Sequence, residues 1–375
     1  MYDAIVIGAR CAGSPTAMLL ARKGYRVLLA DKSTFPSDIM STHYVHIPGV
    51  ARLSRWGLYD KVMATGCPPL TNTFLHLGDV IFEPPRPPLP ADLPSDPICP
   101  RRTVLDNILV QAAVEAGAEL RDGFSIQELT FDGNRVTGIR GRSNGSTVEE
   151  SAKIVIGADG LHSRVAKSVG APEYNTRPTL SFAYYTYWTN VRNEGAHICV
   201  FAEDRRFVLI FPTNDGKTCI VGGGAIDDFH EFRSDIEGNY FDTIGKIEGL
   251  VEQVRGGERE KFIGTADQPN FFRKPYGDGW ALVGDAGYHR DFITGLGITD
   301  AFRDAELLVE AIDAGSSGRE PLDEAMAEYE RKRNDIAEPL YEVTVQMASG
   351  EELDAAGFMR FGAAMARMIP EELPA

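Results

Sequence analysis

The first 31 residues place the tightest limit on what this chain can become. Ala4–Ile7 is a short, wholly apolar run, as expected of a strand buried on both faces. A glycine turn, Gly8-Ala-Arg-Cys-Ala-Gly13, follows, and then helical sequence from Ser14 to Lys23. Pro15 stands in the first helical turn, where a missing N–H does no harm, and Gly24 takes the usual helix-ending position. Val27–Ala30 is a second buried strand, closed by Asp31. This strand–turn–helix–strand unit predicts a parallel α/β sheet. A helix N-terminus behind a glycine turn offers free N–H groups and a positive dipole end to a phosphate. Asp31 lies 18 residues after Gly13, where a carboxylate accepts both hydroxyls of an adenosine ribose. Gly8, Arg10, Cys11, Ala12, Gly13, Asp31 and Lys32 are therefore the dinucleotide-binding candidates of this unit. Arg10 occupies the place of the usual middle glycine, from which it either turns outward or pairs with a phosphate. Cys11 reads as a small residue that fits close packing rather than a redox thiol.

The rest of the composition narrows the class. A length of 375 residues suggests two or three domains and a core large enough for a cofactor. Asp plus Glu is 54 against 38 Lys plus Arg, a net charge of −16. That argues against a nucleic-acid partner and against an anionic membrane. No apolar run has the length of a membrane span, and the N-terminus does not read as a signal peptide. The five cysteines are scattered and form no CxxC pair, which argues against a disulfide framework and a metal site. The expectation is a reduced, cytoplasmic protein, monomer or homodimer.

Further along, Glu83–Arg101 holds eight of the 22 prolines and predicts a stiff loop rather than a helix or central strand. A helix is expected over Val104–Ala116, with turns at Asp132–Asn134 and Asn144–Gly145. A third buried strand, Ile154–Ile156, leads into Gly157-Ala-Asp-Gly160. Leu180–Gly224 reads as an antiparallel sheet, with strands over Ser181–Val191, His197–Ala202, Phe207–Phe211 and Thr218–Val221. Trp280–Val283 is a last buried strand, followed by Gly284-Asp285 and the turn Gly295-Leu-Gly297. Two long helices are expected over Thr299–Ala314 and Leu322–Met347, then an amphipathic tail from Glu351.

Three glycine-rich strand ends in this order and spacing resemble the FAD-dependent aromatic hydroxylases, the para-hydroxybenzoate hydroxylase-like flavoprotein monooxygenases. The resemblance covers Met1 to about Met347 and is weakest in Leu180–Asp267. It implies that Gly8 and Gly13 cradle the FAD pyrophosphate and that Asp31 holds the adenosine ribose. It implies that Arg102, in Arg102-x-x-Leu105, reaches the ribityl and phosphate region, and that Asp159 and Gly160 handle FAD and pyridine nucleotide. Gly284 and Asp285 would serve the ribityl chain, while Gly295, Leu296 and Gly297 would present backbone N–H groups to the flavin ring. A helix N-terminus there suits a reduced, anionic flavin. The chain departs from the family pattern at Arg10, at Tyr288 for the usual His, at Phe292 for the usual Pro and at Thr299 for a common Asn. Flavin halogenases and geranylgeranyl reductases resemble it at the N-terminus too. Phe207–Pro212 lacks the Trp that both branches often carry, which lowers the halogenase reading.

On the substrate side, strand alternation over Ser181–Trp188 puts Tyr185 and Tyr187 on one face and Phe182, Tyr184 and Trp188 on the other. One face would line an apolar pocket, with Tyr185, Tyr187 and Phe211 as substrate candidates. The alternative is ordinary sheet packing. The cluster Ser41–His46 includes His43, a candidate base for a phenolic substrate or, on the plainer reading, a loop histidine bonded to backbone. No Ser-His-Asp or Cys-His arrangement is present around His162 or His289.

The expected architecture is α/β, a Rossmann-like FAD-binding domain with a β-rich (α+β) substrate domain. The FAD domain is expected from 1–70, 98–175 and 268–350, the substrate domain from 71–97 and 176–267, and a helical tail from 351–375. The expected activity is an FAD-dependent monooxygenase. NADH or NADPH would reduce the flavin, and O2 would hydroxylate an aromatic or polyketide-like small molecule through a flavin hydroperoxide. The alternatives are an FAD-dependent reductase or dehydrogenase of the geranylgeranyl reductase-like branch, and a non-catalytic flavoprotein.

Overall fold

The computed structural model describes residues 1–369, apart from 42, 78–79, 84–89, 91–92, 144–145, 193–194, 202, 352 and 354. The opening unit forms as expected. Strand Tyr2–Ile7 runs into helix Gly13–Arg22 and strand Val27–Ala30. These two strands pair in parallel, Ala4 opposite Val27 and Ile7 opposite Ala30. Strand Ser146–Gly157 joins the other edge of Tyr2–Ile7, also in parallel. Trp280–Leu282 adds to that strand, and Glu119–Arg121 adds to Val27–Ala30. Tyr276–Gly277 closes the far edge antiparallel. The first half of Ser146–Gly157 bends away to pair with the hairpin Ser125–Asp132 and Arg135–Ser143.

The central strands are apolar throughout because both faces are covered. Ala4, Val6, Val27 and Leu29 pack against helices Gly13–Arg22, Arg102–Glu115 and Gly297–Ser316. Ile5, Ile7, Leu28 and Ala30 pack against the hairpin through Phe124, Ile126, Leu129 and Val136. Period-2 alternation thus sends neighbouring residues of one strand into two different cores.

A second sheet of seven strands takes its residues from 73–82 and 181–265. Ser181–Trp188, Thr218–Ala225, Arg206–Pro212 and Ala196–Phe201 are antiparallel neighbours. One pairing departs from expectation: Thr73–Leu77 lies parallel to Ala196–Phe201. One face of this sheet, with Ala183, Tyr185 and Tyr187, packs towards Tyr44 and Ile293. The opposite face, with Phe182, Tyr184 and Trp188, packs under helices Phe229–Ser234, Ile236–Ile244 and Leu250–Arg255. A small third sheet, from Glu173–Arg177, Asn270–Arg273 and Tyr288–His289, sits at the junction.

The long helices Gly297–Ser316 and Leu322–Ala348 each extend slightly beyond the expected spans. Helix Ala355–Arg367 packs on the second of them through Ala364 and Met368 near Leu340. The turn at Asn144–Gly145 and part of the proline segment, at 84–89 and 91–92, lie outside the described residues. The described remainder of Glu83–Arg101 contributes no helix or strand, only bridges from Ile98 to Val45 and Pro69.

Candidate active site

The site is built where the parallel sheet ends. Gly8 turns the chain at φ +102, and a Cβ on it would meet Ala158 O at 2.3 Å. A Cβ on Gly13 would fall 1.7 Å from Gly8 O. Only glycine fits at either place, so the turn is tight enough to aim helix Gly13–Arg22 at whatever lies beyond it. That helix begins without a side-chain cap or an acidic first turn, leaving its N–H groups for a ligand. Asp31 Oδ2 accepts from Ala9 N and Oδ1 from Ser33 N, both at 2.7 Å.

A cavity of about 740 Å³ opens in front of this turn. Of the cofactor-binding residues expected from sequence, Gly8, Arg10, Cys11, Ala12, Asp31, Lys32, Arg102, Asp159, Gly160, Gly284, Asp285, Gly295 and Gly297 all line it. Gly13 stays in the loop backbone behind that wall, and Leu296 is buried against Leu340. The cavity continues to Ser41, Ala183, Tyr185 and Val221 of the second sheet, with Ile39 and Met40 at its lip.

The strand ends supply the polar lining. Asp159 accepts from Ser163 Oγ at 2.6 Å and Arg164 N at 2.7 Å, while burial pushes its pKa up. Asp285 faces the cavity on a single helical turn, Gly284–Ala286. Burial raises its pKa too, against the pull of His289 and Arg102. Gly284 adopts φ +61, and a Cβ there would press to 2.7 Å from the Ala12 Cβ. Helix Gly297–Ser316 also starts uncapped by any side chain, and a Cβ on Gly297 would meet nothing within 4 Å.

Arg10 neither turns outward nor points freely at a phosphate. Its Nη1 donates to Asp106 Oδ2 at 2.8 Å. Asp106, fully buried, was not signalled beyond its i,i+4 spacing from Arg102, which donates to both its oxygens. Cys11 is buried with Sγ 3.3 Å from Asp106 Oδ1, and desolvation raises its pKa, as suits an inert packed thiol. Arg290 was not anticipated either. It is buried in the cavity wall, with Nη2 on Asp300 Oδ2, while Nε and Nη1 have no partner among the described residues. Asp304 Oδ2 and the Tyr288 hydroxyl are likewise buried and unpartnered in the same wall.

His43, the candidate base, stands behind the wall. It is 0% exposed, does not line the cavity, and its Nε2 lies 2.6 Å from the Tyr187 hydroxyl. Its φ of +64 turns the side chain inward, edge-on to Tyr185 and Tyr187. Tyr187 is covered in turn by the Arg101 guanidinium, 4.0 Å from its ring centre. Phe211 packs on Tyr44 at 5.2 Å. Of the three aromatic candidates, only Tyr185 reaches the cavity, and its hydroxyl accepts from Ser41 N at 3.3 Å. His46 does not line the cavity; its Nε2 lies 2.8 Å from Thr294 O, and burial lowers its pKa to about 4.

The residues present fit a flavin dinucleotide. Gly8 and the start of helix Gly13–Arg22 suit the pyrophosphate, Asp31 the ribose, and Asp285 a polyol. The unpartnered polar atoms of Arg290 and Asp304 await a polar ligand. Fold and site together define an FAD-dependent oxidoreductase.

Comparison with known proteins bears this out. The family model described as FAD binding domain matches residues 1–344, and the chain belongs to that family, among the para-hydroxybenzoate hydroxylase-like flavoproteins. Digeranylgeranylglycerophospholipid reductase 1 of Methanopyrus kandleri is 28% identical, over 96% of this chain and 93% of its own. The Methanosarcina acetivorans reductase of the same name is also 28% identical, over 88% of this chain and 80% of its own. Among solved structures, the myxobacterial chondrochloren halogenase CndH superposes with a TM-score of 0.84 at 20% identity, over 98% of this chain and 89% of its own. PqsL of Pseudomonas aeruginosa, described as a probable FAD-dependent monooxygenase, gives 0.80 at 18%, over 97% and 99%. These two structures share the fold. No helix among the described residues is long and apolar enough to cross a membrane.

Proposed function

We propose that this chain is an FAD-dependent monooxygenase that uses NADH or NADPH and O2 to hydroxylate an aromatic or polyketide-like small molecule. One observation carries the reading: a single cavity runs from the phosphate loop at Gly8 to the tyrosine-bearing face at Ala183 and Tyr185. When bound, FAD supplies the redox chemistry: nicotinamide gives two electrons, one oxygen atom enters the substrate and the other leaves as water. The chain does the rest. The uncapped N-termini of helices Gly13–Arg22 and Gly297–Ser316 offer positive dipole ends to a pyrophosphate and an anionic ring. Asp31 holds the ribose, Arg102 the phosphate region and Asp285 the polyol. Ala183, Tyr185 and Val221 offer an apolar wall for a flat substrate, and Ile39, Met40 and Phe292 shield it from water. His43 then serves as a buried partner of Tyr187, holding the sheet face rather than touching substrate. In this reading segments 71–97 and 176–267 form the substrate domain, and the protein works in the cytoplasm. A solved complex of the structural neighbour PqsL with 2-aminobenzoylacetate supports an aromatic substrate.

A second reading has specific support, because the curated relatives named above are reductases. There FAD would reduce a carbon–carbon double bond without O2. The two are separated by the visible spectrum of the purified protein under anaerobic NADPH or NADH, then air, then a panel of aromatics. A flavin band that bleaches and returns in air, with O2 uptake matching hydroxylated product, is expected. Anaerobic turnover of an alkene with no O2 uptake would replace the first reading by the second. A flavin band that nicotinamide never bleaches, with no NAD(P)H consumption across the panel, would point to a non-catalytic flavoprotein.

A further inference from the structure

Arg10 stands in the phosphate loop where a glycine is usual, and the fold holds a socket for it. Its Nη1 donates to Asp106 Oδ2 at 2.8 Å and its Nη2 to Ser37 Oγ at 2.7 Å. Nη2 also lies 3.5 Å from Ser33 Oγ, and the guanidinium sits 5.5 Å from the Phe35 ring centre. Arg102 meets the same Asp106 through Nε at 2.9 Å and Nη2 at 3.0 Å. One buried carboxylate therefore serves two guanidiniums beside the phosphate loop. Asp31 ties the same segment from the other side, since it accepts from Ala9 N and from Ser33 N. The segment after the second strand is thus fastened twice to the loop that faces the cavity. With glycine at position 10 the segment would keep only the Asp31 tie to the loop.

We propose that Arg10 is a positioning residue for FAD, a clasp that holds segment Ser33–Ser37 and helix Arg102–Glu115 around the ADP half of the cofactor. Both terminal nitrogens of Arg10 are engaged by the protein, so it acts through Ser37 and Asp106. The clasp belongs to the ribose and phosphate end of the cavity, away from Tyr185 and Val221. The inference rests on FAD being the ligand of this cavity.

The test compares FAD and FMN, which lacks the AMP moiety, in the full-length wild type, Arg10→Gly, Ser37→Ala and the double variant. Affinities come from flavin fluorescence, release rates from dilution of the holoenzyme, and thermal midpoints from the apoprotein. Arg10→Gly is expected to bind FAD roughly 10- to 100-fold more weakly and to release it correspondingly faster. Ser37→Ala is expected to lose part of that factor, and the double variant no more than Arg10→Gly alone, because the two act through one contact. FMN affinity is expected to stay at its wild-type value, and the apoprotein midpoint to fall in Arg10→Gly but not in Ser37→Ala, because only the former takes a counter-ion from the buried Asp106. Equal FAD affinity in wild type and Arg10→Gly, additive losses in the double variant, or an FMN loss as large as the FAD loss would each overturn the clasp. A wild type that takes up no flavin at all would instead sink the cofactor reading, and the clasp with it.

Discussion

A pair of glycine substitutions tests how the site is built, because the same added methyl group meets opposite surroundings. At Gly13 the new Cβ would fall 1.7 Å from Gly8 O, 2.9 Å from Gly8 C and 3.1 Å from the Ala158 Cβ. An ordinary carbon–oxygen contact is about 3.2 Å, so the loop must open by roughly 1.5 Å. The clashing atoms are backbone, and Gly8 is itself wedged 2.3 Å from Ala158 O by the same measure, so they have nowhere to go. Overpacking of this kind costs about 3 kcal/mol or more. At Gly297 the new Cβ would meet nothing within 4 Å, and the residue lines the cavity at the start of its helix. There alanine favours the helix by about 0.5–1 kcal/mol, but its methyl group enters the ligand's space. Urea unfolding of the apoproteins and FAD titration separate the two effects. Gly13→Ala should lose stability and FAD affinity together. Gly297→Ala should keep or gain stability while FAD affinity falls roughly tenfold. A Gly13→Ala protein as stable as wild type would refute the close lock between the loop and Ala158. A Gly297→Ala protein with unchanged FAD affinity would refute the placement of that helix start against the cofactor.

Asp285→Ala should weaken FAD binding by about 1.5–3 kcal/mol, the worth of a hydrogen bond to a charged group, and unchanged flavin occupancy would remove Asp285 from the site. Asp106→Ala leaves Arg10 and Arg102 without their buried counter-ion and should destabilise the apoprotein by about 3–5 kcal/mol in urea, whereas a loss under 1 kcal/mol would show the pair to be well solvated. His46 is neutral in the fold with its pKa down at about 4, below its unfolded value, so its stabilising contribution is complete above pH 6.5 and fades as pH falls towards 4. Its protonation should cost up to about 3 kcal/mol across that window, and His46→Gln should flatten the slope of unfolding free energy there; an unchanged slope would assign the effect to His197, whose pKa burial also lowers to about 4. Tyr185→Ala should impair turnover of an aromatic substrate while leaving FAD affinity intact, and equal loss of both would place the substrate wall elsewhere.

The nucleotide half of the site was legible because backbone constraints write themselves in residue types. A turn at φ +102 needs Gly8, and Asp31, at the end of the second strand, lines the cavity beside it. The substrate half was legible only as a direction. Alternation assigned Tyr185 and Tyr187 to one face, but the cavity meets that strand only at Ala183 and Tyr185. Tyr187 and Phe211 therefore lie behind the wall, a matter of depth that periodicity does not encode. His43 goes inward because its backbone sits in the left-handed region, which no local motif announces. The partnership of Arg10 with Asp106 joins residues 96 apart, and the parallel pairing of Thr73–Leu77 with Ala196–Phe201 puts Thr73 opposite Ala196, 123 residues on (196 − 73). Both are set by the assembled fold.

The strand order of the parallel sheet also governs how the molecule is made. Trp280–Leu282 covers the open edge of Ser146–Gly157, and helix Gly297–Ser316 covers the face beside it. Both emerge from the ribosome after the whole second sheet. A nascent chain halted before Trp280 therefore displays Val155 and its neighbours as an unpaired apolar edge, the kind of template that seeds aggregation. Proper folding thus depends on the segment from Trp280 onward arriving before the edge at Val155 finds another partner.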